Sequence, residues 1–243
     1  MKHYLVTRWN VDLFDLGWLQ RRQKIFEKFT LPSVEGQHNQ NFEWLFISDS
    51  RTPDKFKNVL ERYPARTIYY NFENYDWTCV NRKFLPKMKL AVRIETIGNV
   101  VAKAIGKQNT DYIITSRLDN DDIISFEHID RIQKYAANLW RIRQPKFWLS
   151  LVRGFRLKED KIYPFNSKCS AFLSFIEDPD NLKTAYQCTH TIADKTKYPL
   201  EIIREGNPTW AEVIHGENVL NKLKRFRGER SAKEVVGDFN ITL

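Results

Sequence analysis

Cysteine, methionine and long apolar runs are all scarce in this chain of 243 residues. Its three cysteines, Cys79, Cys169 and Cys188, are an odd number with no short pairing, which argues against a disulfide framework and a zinc ribbon and leaves reduced thiols as the expectation. No stretch reaches the length of about 18 apolar residues that spans a bilayer, and charged residues begin right after the amino terminus. Neither a membrane span nor a signal peptide is expected, so the reading is a soluble, cytoplasmic protein. A phosphate-binding glycine loop, a dinucleotide glycine loop, a serine elbow and a zinc-protease helix are all missing.

What is present is ample core material. With 42% hydrophobic and 14% aromatic residues, one large domain is the default. An excess of 39 basic over 30 acidic residues gives a net charge of +9, which favours a polyanion, a membrane surface or a small phosphorylated ligand without choosing among them. Part of that excess gathers in Lys222, Lys224, Arg225, Arg227, Arg230 and Lys233, a run that reads first as a solvated helical face.

The first half alternates short apolar runs with helix-period segments, the pattern of a parallel sheet covered by helices. Strands are predicted at His3–Arg8, Phe42–Ser48, Arg66–Tyr70 and Asp111–Ser116, with helices at Trp18–Phe29, Pro53–Tyr63 and Leu90–Lys107 between them. In the last helix Ile94, Ile97, Val101, Ala104 and Ile105 recur at helical spacing, so that face should cover the sheet. Further on, Phe126–Trp140 reads as a helix, Phe147–Leu157 and Lys161–Phe165 as a hairpin, and Ala171–Ile176 and Leu200–Ile203 as strands of a mixed sheet.

The densest chemistry lies in Ile113–Asp122, IITSRLDNDD, where an apolar run and Arg117 are followed by Asp119, Asp121 and Asp122. Carboxylates this close raise one another's pKa unless a positive partner keeps them ionised, and hard oxygen ligands favour Mg²⁺ or Mn²⁺. Taken alone, the cluster fits a solvated Asp/Asn turn equally well. It is not a calcium-binding EF-hand loop, because Ile123 and Ile124 stand where the fifth ligand and the turn glycine belong and Asp130 stands where the terminal glutamate belongs. Three predicted strands end in polar groups, Thr7 with Arg8, Ser48 with Asp49, and Arg117 with Asp119. In open α/β sheets ligands sit beyond such carboxyl ends.

The run LDNDD after an apolar strand resembles the DxD motif of GT-A fold glycosyltransferases. TLPSVEGQ, Thr30–Gln37, is similar to the segment before the second strand of those enzymes, and FEWLFISDS, Phe42–Ser50, is similar to their strand ending in a nucleotide-contacting acid. Pro32-Ser33, Arg117–Asp122 and the late Trp210, His215-Gly216 and Asn218 together resemble the group called putative rhamnosyltransferases, over about residues 1 to 220.

The resemblance implies a single Rossmann-like GT-A domain, a mixed and mainly parallel sheet with helices on both faces. Residues 1–122 would form the nucleotide-sugar half and 123–243 the acceptor side with a basic carboxyl-terminal segment. It also implies a metal-dependent transfer of a hexosyl group from a UDP-sugar or dTDP-rhamnose to the hydroxyl of a glycan or small molecule. On that reading Asp121 is the first metal ligand, with Asp119 on ribose or on metal through water, Asp122 behind the ligands or touching the sugar, and His215 as a late metal or pyrophosphate ligand that, on the metal, favours Mn²⁺ over Mg²⁺. Thr7, Arg8 and Asp49 are carried over as base or ribose contacts. Arg8, Arg93 and Arg117 also have the guanidinium geometry for diphosphate.

No acid pair marks a catalytic base, and Glu212 is the candidate, with surface helix charge as its rival reading. Trp77, Trp148 and Trp210 are candidate sugar platforms, against core packing. Tyr69, Tyr70, Phe72, Tyr75 and Trp77 form an aromatic stretch suited to stacking on the base or covering the site. His190 has no matching role. A nucleic-acid-binding module is the rival from another class and predicts salt-sensitive binding that survives Asp121→Asn, although no nucleic-acid partner is expected. A metal-dependent phosphoesterase is the second rival.

Overall fold

The computed structural model describes the backbone of residues 1–73, 85–143, 145–216, 228–234 and 236–240, and their side chains except those of 85–93, 234 and 236. Along the chain run β1 (Lys2–Asn10), α1 (Leu16–Ile25), α2 (Leu31–Glu35), β2 (Glu43–Asp49), α3 (Asp54–Leu60), β3 (Arg66–Tyr70), α4 (Leu85–Ile105), β4 (Ile113–Asp119), β5 (Ile123–Ile124) and α5 (His128–Arg143). The second half adds β6 (Lys146–Leu151), β7 (Arg153–Lys158), β8 (Lys161–Asn166), β9 (Ser174–Glu177), β10 (Leu200–Ile203), β11 (Trp210–Val213), β12 (Arg230–Ser231) and α6 (Val236–Phe239).

Seven strands form the central sheet in the order β10-β6-β9-β4-β1-β2-β3. Every pairing in it is parallel except those of β9, which runs antiparallel to both β4 and β6. This is the mixed, mainly parallel α/β architecture expected from the alternation of apolar runs and helical periods. Its two faces are both covered, because alternate residues of each inner strand serve different cores. Leu5, Trp44 and Phe46 pack with Phe26 and Val34 on one face, while Tyr4, Val6, Leu45 and Ile47 meet Ile94, Ile97, Val101 and Ile105 of α4 on the other. Ile132, Ala136 and Trp140 of α5 close over Ile114, Phe147, Leu149 and Ile176. No helix among the described residues is long and apolar enough to cross a membrane.

The helical run predicted at Trp18–Phe29 extends to Glu35, with a wide turn at Phe26–Thr30 in its middle. Pro32 supplies the cause: it has no N–H to give to the carbonyl four residues back, and the N–H of Leu31 reaches five residues back to the Phe26 carbonyl. Asp15 caps the start of α1 by accepting the Trp18 N–H at 2.6 Å. That cap fixes the angle at which α1 delivers its side chains to the ends of β1 and β4.

The expected hairpin of Phe147–Leu157 with Lys161–Phe165 is corrected by the structure. Its first strand is two strands, β6 in the central sheet and β7 in a second, five-stranded sheet of order β12-β8-β7-β11-β5, and only β7 pairs with β8. The break at Val152 lets the chain leave one sheet for the other, and Gly154 lies just after it under the buried indole of Trp210. A Cβ at Gly154 would lie 2.3 Å from two ring atoms of Trp210, far inside contact distance. Gly154→Ala is therefore expected to lower unfolding stability by about 1–3 kcal/mol through overpacking, read as a lower urea midpoint with an unchanged slope. An unshifted midpoint would refute the close approach.

Candidate active site

A cavity of about 560 Å³ opens where β1 and β4 end, lined by Arg8, Asp119, Asn120, Asp121 and Asp122 from the strand ends and by Trp18 and Arg22 from α1. Arg156, Glu212, Ser167, Ser170 and His190 complete the lining. Its size falls in the range of small-ligand pockets, about 300–1,000 Å³.

Local hydrogen bonds explain why the acidic loop sits here. The Asn120 amide donates to the Trp9 carbonyl at 2.9 Å, tying the loop to β1. Ser33 Oγ accepts the Ile124 N–H at 3.3 Å, and the Gln37 amide donates to the Ser125 carbonyl at 2.7 Å while its oxygen accepts the Ile129 N–H at 3.1 Å. The segment Thr30–Gln37 is thus a brace for the residues just past the cluster. Strand β5 pairs antiparallel with β11, and Asp122 Oδ1 accepts the Val213 N–H at 3.1 Å, which carries His215 to the acidic loop.

Nε2 of His215 lies 2.9 Å from Oδ2 of Asp121, joining residues 94 positions apart. Nη1 of Arg22 forms an ion pair with the same oxygen and lies 3.4 Å from the same nitrogen. These three side chains are only 8%, 13% and 15% exposed for Arg22, Asp121 and His215, so water screens them little. Burial alone would push the Asp121 carboxyl up, but the His215 hydrogen bond and the Arg22 charge outweigh it and hold the carboxyl below its ordinary range. Asp122 goes the other way: burial and then the charges of Asp121, Asp119 and Glu212 push it well up.

Asp119 faces Arg8, with Oδ1 and Nη2 3.4 Å apart, and that charge raises Arg8 further above its ordinary value. Glu212 accepts from Nε of Arg156 at 2.8 Å. Burial moves its carboxyl upward against the pull of Arg156. His190 is lowered to about 3 by burial and by the Arg117 and Arg8 charges, so its imidazole is neutral in the cavity.

Five of the sequence-predicted residues, Arg8, Asp119, Asp121, Asp122 and Glu212, therefore share the cavity, and His215 backs it through Asp121. Three others are not brought to it. Thr7 is buried on the opposite parity of β1, where its hydroxyl accepts the Trp44 indole N–H at 2.9 Å. Asp49 is wholly buried and taken up by Arg51, through Oδ1 at 2.9 Å and Oδ2 at 2.8 Å, and by the Asp12 N–H. Those bonds hold its carboxyl low against the upward push of burial. Arg117 lies 4.5 Å over the Tyr186 ring and donates to the Cys188 carbonyl.

The side chain of Arg93 lies outside the described residues, as do Tyr75, Trp77, Cys79, Asn218, Lys222, Lys224, Arg225 and Arg227. Trp148 and Trp210 are core residues whose indoles donate to Thr196 and to the Leu151 carbonyl. Sequence reasoning missed Arg22, Trp18 and Arg156. The one available signal was the i, i+4 spacing of Trp18 and Arg22, which puts the guanidinium 4.9 Å over the indole.

The donor set can be tested against a divalent ion. Among the described residues no group of three His, Cys, Asp or Glu side chains converges as a metal cage. Asp121 and His215 do converge, while Asp119 is turned to Arg8. One carboxylate and one imidazole, completed by phosphate oxygens and water, fit the habit of Mg²⁺ and Mn²⁺, with the imidazole favouring Mn²⁺.

A family model described as "Putative rhamnosyl transferase" matches residues 3–224. A crystal structure of S. aureus TarS 1-349 is similar at 13% identity and a TM-score of 0.43, covering 88% of this chain and 60% of that one. A second structure of S. aureus TarS is similar at 11% identity and a TM-score of 0.46, covering 88% of this chain and 37% of that one. The inositol-1-phosphate CTP transferase from T. maritima aligns at 10% identity and a TM-score of 0.35, over 87% of this chain and 89% of its own. The chain thus spans 60% and 37% of the two TarS chains. No curated protein matches it.

Proposed function

The chain belongs to the family described as "Putative rhamnosyl transferase", and from that premise we propose that it moves a hexosyl group from a nucleoside diphosphate sugar to a hydroxyl acceptor in a metal-dependent reaction. The observation that carries this reading is the meeting of Asp121 and His215 at 2.9 Å beside a cavity of about 560 Å³. A UDP-sugar or dTDP-rhamnose is the donor, and a glycan or small molecule is the acceptor. Asp121 and His215 would hold Mn²⁺ or Mg²⁺. Bound there, the ion supplies Lewis-acid neutralisation of the charge that grows on the leaving diphosphate.

The chain's own residues account for the rest of the transfer. Arg8 borders the cavity beside Asp119 and can meet phosphate oxygens with its outer nitrogens. Glu212 lines the cavity near the acidic loop and serves as the acceptor's base. Burial raises its carboxyl above the ordinary value, which strengthens it as a proton acceptor, while Arg156 pulls the other way and fixes its direction. The acceptor oxygen would bond to the anomeric carbon as the bond to the phosphate oxygen breaks. The hydroxyl proton goes to Glu212 and the bond pair leaves with the nucleoside diphosphate. Direct displacement of this kind inverts the anomeric centre.

Thermal unfolding with UDP, GDP and dTDP, each with and without Mn²⁺, tests the reading. At least one nucleotide is expected to raise the midpoint by several degrees only when Mn²⁺ is present, the response of a ligand well above its Kd. Absence of a metal-dependent shift with all three would sink it.

A further inference from the structure

We infer that Arg22 is a built-in occupant of the cation position between Asp121 and His215, so that this guanidinium and a divalent ion are alternative partners of the same two ligand atoms. The inference rests on the metal site of the function proposed above. Nη1 of Arg22, Oδ2 of Asp121 and Nε2 of His215 form a single triangle, with both ligand atoms turned toward the guanidinium nitrogen. A fixed positive charge thus occupies the place where a carboxylate and an imidazole converge.

Two physical arguments make the occupancy exclusive. The first concerns the imidazole: a metal ligand must present its Nε2 lone pair, yet at 2.9 Å from a carboxylate oxygen that nitrogen carries the proton that completes the hydrogen bond. Loading the ion therefore rearranges the triangle. The second concerns charge. An ion on the same Oδ2 would lie within a few ångströms of the guanidinium, in a site where the three side chains are at most 15% exposed and repulsion is poorly screened.

Arg22 also has somewhere to go. It lines the cavity, its head rests over Trp18, and its Nε makes no hydrogen bond among the described residues. A diphosphate in the cavity would offer that guanidinium paired acceptor oxygens. Metal alone must displace Arg22 without compensation, whereas metal with diphosphate gives it a new partner. The two ligands then bind with positive coupling, which by linkage is the same in either order.

Mn²⁺ titration of the full chain, followed by electron paramagnetic resonance of the free ion, measures this without any turnover. Arg22→Gln is expected to bind Mn²⁺ about tenfold or more tightly than wild type, and Arg22→Lys, which keeps the charge, to stay near wild type. Adding Asp121→Asn to Arg22→Gln should abolish the tight site. If Arg22→Gln does not fold, Arg22→Met keeps an unbranched stem against Trp18 and carries the same expectation.

Equal affinity in wild type and the uncharged variant, or an Arg22→Lys protein as tight as Arg22→Gln, would overturn the competition while leaving an Asp121 metal site in place. No Mn²⁺ binding at Asp121 in any of these proteins would overturn both the competition and the metal dependence.

Discussion

Asp121→Asn is expected to lower glycosyl transfer by about 10²–10³ and to erase the Mn²⁺-dependent part of nucleotide stabilisation. The substitution removes the carboxylate that, among the described residues, meets both His215 and Arg22, so the site loses its convergence point. The fold should survive. Removing one partner of a buried pair usually costs several kcal/mol, but Arg22 keeps its place over the Trp18 ring and its 3.4 Å approach to His215. Asn also retains an oxygen able to accept from a neighbour.

Asp122→Asn is the informative contrast, because its principal bond is the accepted Val213 N–H, which an amide oxygen also accepts. Initial rates of donor consumption, with circular dichroism on each variant, separate the two. Comparable losses in both variants would deny Asp121 its special position and return the cluster to a general acidic surface.

The fold was legible wherever period and length agreed. Ile94, Ile97, Val101 and Ile105 are buried as their spacing predicts, and β1 to β4 appear within three residues of the expected ranges. The second half was less readable because its signals depend on which sheet a strand joins. Nothing in the apolar run from Phe147 to Leu157 marks the change of sheet at Val152, and strand periodicity alone cannot show that β9 is inserted antiparallel between β4 and β6.

The site follows the same division. Asp121 and His215 were legible as ligand types in a recognisable order, and the pairing of β5 with β11 supplies their meeting. Thr7 and Arg8 are neighbours in sequence, yet strand parity sends the first into the core and the second into the cavity. Asp49 ends its strand as expected but is consumed by Arg51, two residues later. Arg22 was invisible because a helical arginine reads as solvated until the tertiary structure buries it.

Acid should unfold this protein partly through histidines that are no part of the transfer site. His3 and His128 are buried in the structure's interior, and burial lowers each to about 3, with the charge of His128 adding to the effect on His3 and that of Arg131 to the effect on His128. The rings are served differently. His3 bonds Ser116 at 2.8 Å and Gln133 at 3.2 Å, whereas neither ring nitrogen of His128 makes a hydrogen bond among the described residues, and the backbone of Thr209, outside bonding geometry, opposes its shift only in part.

Because the folded pKa lies below the ordinary 6.5, the unfolded chain takes up the proton first as pH falls. The stabilisation is complete above the unfolded value and is lost between 6.5 and about 3, at about 1.4 kcal/mol per pH unit for each histidine. The raised carboxyls of Asp122, Glu177 and Glu212 contribute with the opposite sign, since the folded state takes up their protons first. They mask part of the histidine effect in a single acid titration, but they cancel between wild type and His128→Phe.

Urea unfolding of both proteins between about pH 7 and pH 5 should show the stability difference shifting by about 2 kcal/mol in favour of the variant as pH falls. A difference that stays constant across that interval would mean that His128 accepts its proton equally well in the folded and unfolded chains, and the burial of an unpartnered imidazole would have to be abandoned.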